Sequence, residues 1–353
     1  MASDTRPHPF VGSLLLAGAL LWPVPAIADE ATRPFVDSAG RTVQVPVKVA
    51  RVYAAGHPAT IFLYTLAPET LLGWTTKQPE RTLALLPPRY ADLPVLGRLT
   101  GRGDTANVEV VLKTRPDLIF DFGTVRPTYA SLADRVQNQT GIPYVLVDGT
   151  FAGIPAAYRM MGKLIGAEDR GERLARYAEA LLAEVEAVLA AVPAHKRPRV
   201  YYGRGPDGFE TGRLGSINVE MIDLVGAVNV AAAAGKGGLA KVSIEQILGW
   251  NPDTILTTDP HFFGTVAKDA RWRGIRAVAT DRVFLAPEYP FGWFDRPPSV
   301  NRLIGIRWLL NLLYPNAVKR DLRDAVGDFY DLFYHRRPSA AELDALLATA
   351  GAR

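Results

Sequence analysis

The chain of 353 residues contains no cysteine, so a disulfide framework and a thiolate metal site are both closed to it, as is a lipid anchor on an N-terminal Cys. Charge of one predominant sign is also missing. The 40 Lys plus Arg nearly balance 36 Asp plus Glu, for a formal +4, and the basic residues are scattered, which argues against nucleic acid and leaves a mild preference for an anionic ligand. Histidine is scarce at 5. Only His57 and His261 fall on loops where a ligand would sit, so a bare Zn²⁺ or Mn²⁺ site with three or four converging ligands is disfavoured. No Gly-x-Ser-x-Gly or His-Glu-x-x-His is present, and no nucleophile–base set stands out.

Long apolar runs are absent too. The stretch Phe10–Trp22 is shorter than the about 20 residues that cross a bilayer. Arg6 and His8 precede it, Pro23 and Pro25 end it, and Ala26-Ile27-Ala28 has the small-x-small form of a cleavage site. This predicts a signal peptide over 1–28, cut after Ala28, and a periplasmic product. What remains, in a chain that is 48% hydrophobic, is ample for a packed core and long enough for two domains.

The remainder alternates strands and helices. A strand over Thr42–Val47 comes first. The short strand Arg51–Gly56 precedes a helical run from Pro58 through Ile61, Phe62, Leu63, Leu66, Leu71 and Leu72. A helix from Asn107 leads to Pro116-Asp117 and the strand Leu118–Phe120, and a helix over Tyr129–Asn138 leads to the strand Tyr144–Val147. Arg199–Gly203 repeats the opening strand, and a helix follows over Glu220–Val225. The stretch Asn107–Phe120 overlays Ser243–Leu256 without a gap at an offset of 136, with five of fourteen positions identical. Such periodicity predicts two parallel βα lobes on one plan. Between them, Leu174, Ala178, Leu181, Val185, Val188 and Val192 recur at steps of four and three, predicting one long helix over Glu168–Val192 stopped by Pro193. The expected layout is a first lobe over 29–165, a linking helix over 166–195 and a second lobe over 196–353 with terminal helices. A stiff helical link restricts the lobes to small tilts.

These features, and above all the paired Asn-Val-Glu…Arg-Pro-Asp and Ser-Ile-Glu…Asn-Pro-Asp segments, resemble the helical-backbone class of ABC-transporter substrate-binding proteins, in the branch that carries iron-siderophore, haem and cobalamin complexes. Gly292-Trp293-Phe294-Asp295-Arg296-Pro297-Pro298-Ser299 resembles a subgroup described as iron-complex binders. The resemblance implies an α/β fold of two lobes with mostly parallel sheets, a rigid helix joining them and a ligand cleft between. It implies a monomer without cofactor or catalysis that hands an iron chelate to a membrane permease dimer. It also assigns Glu109 and Glu245 to permease docking, although an acidic residue two positions after the N-caps Asn107 and Ser243 also gains from the helix dipole.

In parallel βα lobes the ligand lies beyond the carboxyl ends of the strands. That rule selects His57, Arg98, Thr124 and Arg126 in the first lobe. In the second it selects Tyr202, Arg204, Asp259, His261, Tyr289, Trp293 and Arg296, with Phe291 and Phe294 beside them. Arginines clamp carboxylates, aromatics stack on a planar ligand, and His57 is able to ligate a metal or donate to an oxygen. Gly203-Arg204-Gly205-Pro206-Asp207-Gly208 matches the dinucleotide fingerprint but opens no helix. Asp121-Phe122-Gly123 stands without the other kinase motifs. A secreted enzyme acting on a metal chelate is the rival reading.

Overall fold

The computed structural model describes residues 1–2, 31–101, 108–348 and 351. The expected signal peptide and the N-cap at Asn107 therefore lie outside the described residues. The structure clusters into two units, Met1–Ala31 and Thr32–Arg353, and the helices and strands of the described residues lie in the second. No helix among the described residues is long and apolar enough to cross a membrane.

Two parallel sheets organise the chain. The first holds the strands Val52–Ala54, Leu118–Gly123 and Tyr144–Asp148 in that order. The second has the order Val283–Leu285, Thr254–Thr257, Arg199–Gly203, Val228–Asn229. Their registers correspond: Val52 pairs with Leu118, and Val200 with Thr254, which keeps the offset of 136 read from the sequence.

The Pro-Asp segments explain why. Each follows a residue at positive φ, Arg115 at 47° and Asn251 at 40°, that ends the preceding helix. The Asp117 amide then donates to the Arg51 carbonyl at 2.8 Å, and the Asp253 amide to that of Arg199 at 2.8 Å. Each aspartate Oδ2 accepts the backbone N–H of the same arginine, at 2.8 and 3.1 Å. Each arginine in turn donates through Nη2 to the end of the helix before the motif, at the Thr114 and Trp250 carbonyls. One clasp, used twice, sets strand register in both lobes.

The linking helix spans Glu168–Ala191 and buries Leu174, Ala178, Leu181, Val185 and Val188. At about 1.5 Å per residue its 24 residues reach about 36 Å. It packs closely on the first-lobe helix Ile154–Ile165, where a Cβ on Gly171 would stand 2.6 Å from the Tyr158 carbonyl oxygen. Arg159 joins the two helices through Glu172 and Glu179, and further along Arg307 of the helix Arg302–Leu313 grips Glu184. The helix Leu322–Tyr334 returns to the first lobe. Tyr64 OH donates to the Tyr334 carbonyl at 2.8 Å, and His335 Nε2 lies 2.9 Å from the Tyr64 carbonyl. Accordingly one apolar cluster runs from Val52 and Phe120 through Leu181 to Trp293 and Phe329.

Local departures have simple causes. The opening helix, His57–Leu66, stops before Leu71 and Leu72 because Pro68 begins a separate turn. The strand Thr42–Pro46 is half of an antiparallel hairpin with Thr32–Val36, whose alternating burial marks a surface ribbon.

One close approach carries a stability prediction. Gly305 lets the helix Arg302–Leu313 touch the backbone at Trp293, and a Cβ there would stand 1.8 Å from the Trp293 carbonyl oxygen. Gly305→Ala is expected to cost about 2 kcal/mol or more, as overpacking does. Gly249→Ala, in the helix Ile244–Trp250 with open space around it, should gain about 0.5–1 kcal/mol. Paired denaturation curves check both; equal midpoints would refute the argument.

Candidate functional site

A cavity of about 630 Å³ opens between the two sheets and takes its walls from both lobes. From the first lobe come the start of the helix His57–Leu66, the loop around Trp74–Gln78, Arg98–Gly101, and the strand end Asp121–Thr124. From the second come Arg204, Asn218 and the segment Glu288–Pro298.

On the first-lobe wall three side chains form a chain. Arg98 Nη1 lies 2.6 Å from His57 Nε2, and His57 Nδ1 lies 2.8 Å from Thr75 Oγ1. A guanidinium has no acceptor, so Nε2 must accept and Nδ1 must carry the hydrogen that goes to Thr75. Burial, helped by the Arg98 charge, holds the imidazole down at about 4, so it is neutral at ordinary pH. Both ring nitrogens are engaged, and the imidazole in this arrangement fixes Arg98 rather than presenting a lone pair to a metal. Among the described residues no group of three or more His, Asp or Glu is placed to hold an ion.

Asp121 lies deeper on the same wall and is 7% exposed. Its Oδ1 accepts from the Phe122 amide at 3.0 Å and from Thr100 at 3.4 Å, and Oδ2 accepts from Tyr144 OH at 3.4 Å. Burial pushes the carboxyl up to about 6, against the opposing pull of these donors. Gly56 admits this arrangement, because a Cβ there would meet Thr100 Oγ1 at 2.5 Å.

On the second-lobe wall Arg204 is shared between carboxylates. Its Nε lies 2.7 Å from Asp295 Oδ2, and its Nη1 pairs with Glu210. Asp295 also accepts from Tyr202 OH at 2.9 Å and from Asn218. Tyr289 and Arg296 line the cavity on the neighbouring segment, and Arg81 sits over the Tyr289 ring at 5.8 Å.

A buried arginine outside the cavity lining crosses between the lobes. Arg302, wholly buried, donates to the Gly149 carbonyl at 3.2 Å, the Ile217 carbonyl at 2.9 Å and Glu220 at 3.2 Å. Glu220 Oε1 accepts the Phe151 amide at 3.0 Å, and the guanidinium lies 4.4 Å from the centre of the Phe151 ring.

Of the residues selected from sequence, His57, Arg98, Thr124, Arg204, Tyr289 and Arg296 line this cavity, as does Phe291. Five do not. Trp293 is 0% exposed, and its indole N–H donates to Tyr330 OH at 3.2 Å; it is the peg that holds the cavity-lining segment, whose Tyr289 carbonyl accepts from the same hydroxyl. Tyr202 is also fully buried, its hydroxyl used by Asp295 beneath the cavity wall, and Phe294 packs on its ring. Arg126 is exposed at the start of the helix Pro127–Thr140. Asp259 caps the helix Pro260–Thr265, accepting from the His261 and Phe262 amides. His261 borders a separate, smaller hollow beside Asp207. Sequence reasoning missed Thr75, Thr100, Asp121, Asn218 and Asp295. Asp121 and Asp295 did carry a signal, each sitting at or near the strand ends that the cleft rule points to; Thr75 lies in an irregular loop without one.

Glu109 and Glu245 are exposed, at the second positions of the helices Val108–Thr114 and Ile244–Trp250. They occupy corresponding places in the repeat.

Comparison with known proteins gives this geometry a family. The molybdate-binding protein MolA of Haemophilus influenzae is 28% identical over 334 residues, covering 88% of this chain and 92% of the relative. Its molybdate-bound structure superposes with a TM-score of 0.72 at 26% identity, over 87% of this chain and 99% of that one. An ABC transporter solute-binding protein of Sulfurospirillum deleyianum reaches a TM-score of 0.82 at 28% identity, over 90% and 99%. FepB of Veillonella parvula, a TroA-like periplasmic binding protein at 21% identity and a TM-score of 0.67 over 87% and 97%, shares the fold. The architecture is that of the class III binding proteins, in which two lobes with parallel sheets are joined by a helix. Relatives of this kind are substrate-binding proteins of ABC importers, which deliver small molecules to a permease. With residues 82–290 matching the family described as Periplasmic binding protein, the chain belongs to that family.

Proposed function

We propose that the cavity captures a small metal oxyanion of the molybdate class in the periplasm, after removal of residues 1–28, and that the loaded protein delivers it to an ABC permease. The observation that carries this reading is the placement of arginines on both walls, Arg98 on the first lobe and Arg204 and Arg296 on the second. A guanidinium offers a planar fork of donors suited to oxyanion oxygens, and the neutral His57 orients one such fork. The molybdate-binding relative supports the choice.

A second reading, the iron chelate implied by the resemblance, is favoured by size. About 630 Å³ lies inside the range of about 300–1,000 Å³ typical of small-molecule pockets and exceeds what one tetrahedral anion fills. Tyr289 and Phe291 would supply an aromatic wall for a siderophore-type complex, and haem or cobalamin would use the same wall. Neither reading requires chemistry at the site.

Isothermal titration separates the two. Sodium molybdate is expected to bind, and Arg98→Ala to weaken it about 10- to 100-fold, the loss expected when a charge-assisted hydrogen bond is removed. Binding of a ferric chelate with no heat from molybdate would overturn the first reading in favour of the second. For delivery, we propose that Glu109 and Glu245 dock on the permease, two carboxylates set one lobe apart giving both register and orientation. Reversing both to Arg should abolish uptake into cells while leaving ligand affinity unchanged; normal uptake by that variant would remove them from docking.

A further inference from the structure

An anion site is an unexpected place for a buried carboxyl without a cation beside it. Asp121 lines the cavity yet makes no ion pair with any described residue. Its partners are the Phe122 amide, the Thr100 hydroxyl and, on Oδ2, only the Tyr144 hydroxyl at 3.4 Å. That long contact leaves Oδ2 the oxygen with capacity to spare.

The arrangement is maintained at a cost. Burying a carboxylate without a counter-charge disfavours its ionised form, and the second lobe does without one: at the offset of 136 the counterpart of Asp121 is Thr257, the last residue of the strand Thr254–Thr257. The paired lobes therefore differ at this point: the first lobe has a carboxyl group where the second has none.

Resting on the oxyanion reading above, we propose that Asp121 is a specificity residue that reads the charge and protonation of the bound anion. When ionised it repels a doubly charged oxyanion. When protonated it is neutral and donates its hydrogen to an oxyanion oxygen, so binding a dianion takes up one proton. A singly charged oxyanion that keeps a hydroxyl can instead donate to the ionised carboxylate, which selects for hydrogen-bearing ligands at higher pH.

The surrounding groups leave Asp121 as the group in question. Tyr144 faces it from the adjacent strand, Tyr129 approaches Tyr144 from the helix Pro127–Thr140, and Arg41 beyond Tyr144 is bound to Asp37 and Asp134 at 3.2 and 2.9 Å. Arg98 and His57 border the same wall, and Arg204, Glu288, Asp295 and Arg296 lie across the cavity. His57, held near 4, does not change charge above pH 5, whereas Asp121, raised to about 6, does. The sign follows from linkage. A bound dianion raises the Asp121 value further, the complex holds more protons than the free protein, and affinity must fall as pH rises above about 6.

The test is calorimetric titration of the mature protein with micromolar sodium molybdate from pH 5.5 to 8, in two buffers of different ionisation enthalpy. The wild type is expected to take up close to one proton at the upper end and to lose about tenfold in affinity per pH unit there. Asp121→Asn should bind without proton uptake, with a flat profile and at least about tenfold tighter than the wild type at pH 7.5. Measurable wild-type binding that takes up no proton would overturn the role of Asp121 and leave the oxyanion reading standing; this arm needs no variant to fold. Equal pH slopes in wild type and Asp121→Asn would do the same. No heat from molybdate at any pH would overturn the oxyanion reading and this proposal with it.

Discussion

Arg302 is the point on which the arrangement of the two lobes turns. A guanidinium taken wholly out of water is costly unless its donors are met, and here each of its three nitrogens has a partner: Nη2 the Gly149 carbonyl in the first lobe, and in the second Nη1 the Ile217 carbonyl and Glu220 and Nε the Ser299 carbonyl. Glu220 completes the bridge by accepting the Phe151 amide. Separating the lobes at this seam would leave a buried charge unsolvated, so the bridge permits tilting about the seam and resists opening across it. Burial pulls the Arg302 value down, yet a guanidinium remains charged at any ordinary pH, so this constraint does not switch with acidity.

Much of this architecture was legible because its causes are local. The Pro-Asp clasp needs only a helix end, an aspartate and an arginine before the partner strand, and Arg51 with Asp117 repeats as Arg199 with Asp253 at matching positions. The linking helix announces itself through Leu174, Leu181 and Val188 on one face. The hairpin partner Thr32–Val36 went unread because a surface ribbon of five residues buries too little to show periodicity.

The site was legible only in part, for a reason visible in Trp293 and Asp121. A strand-end rule says which loops reach the cavity but not which way a side chain turns once there. Trp293 turns inward because Tyr330 offers its indole a partner and Gly305 makes room for its backbone, both far off in sequence. Asp121 turns toward the cavity while the alternating Phe120 and Phe122 enter the core. The Asp-Phe-Gly tripeptide signals no function by itself, and only the position of its strand brings the carboxyl to the cavity.

The way the second-lobe wall holds its arginine suits a protein that must let go. Arg98 is braced by a neutral imidazole. Arg204 is shared between Asp295 and Glu210, so an anion reaching it competes with carboxylates already in place. A guanidinium compensated in this way gains less from a newcomer, because the incoming charge meets a field that is already largely cancelled. The same pairing keeps the fork stiff through Tyr202 and Asn218, which hold Asp295. Orientation is retained while attraction is tempered, which is the balance that capture followed by release requires.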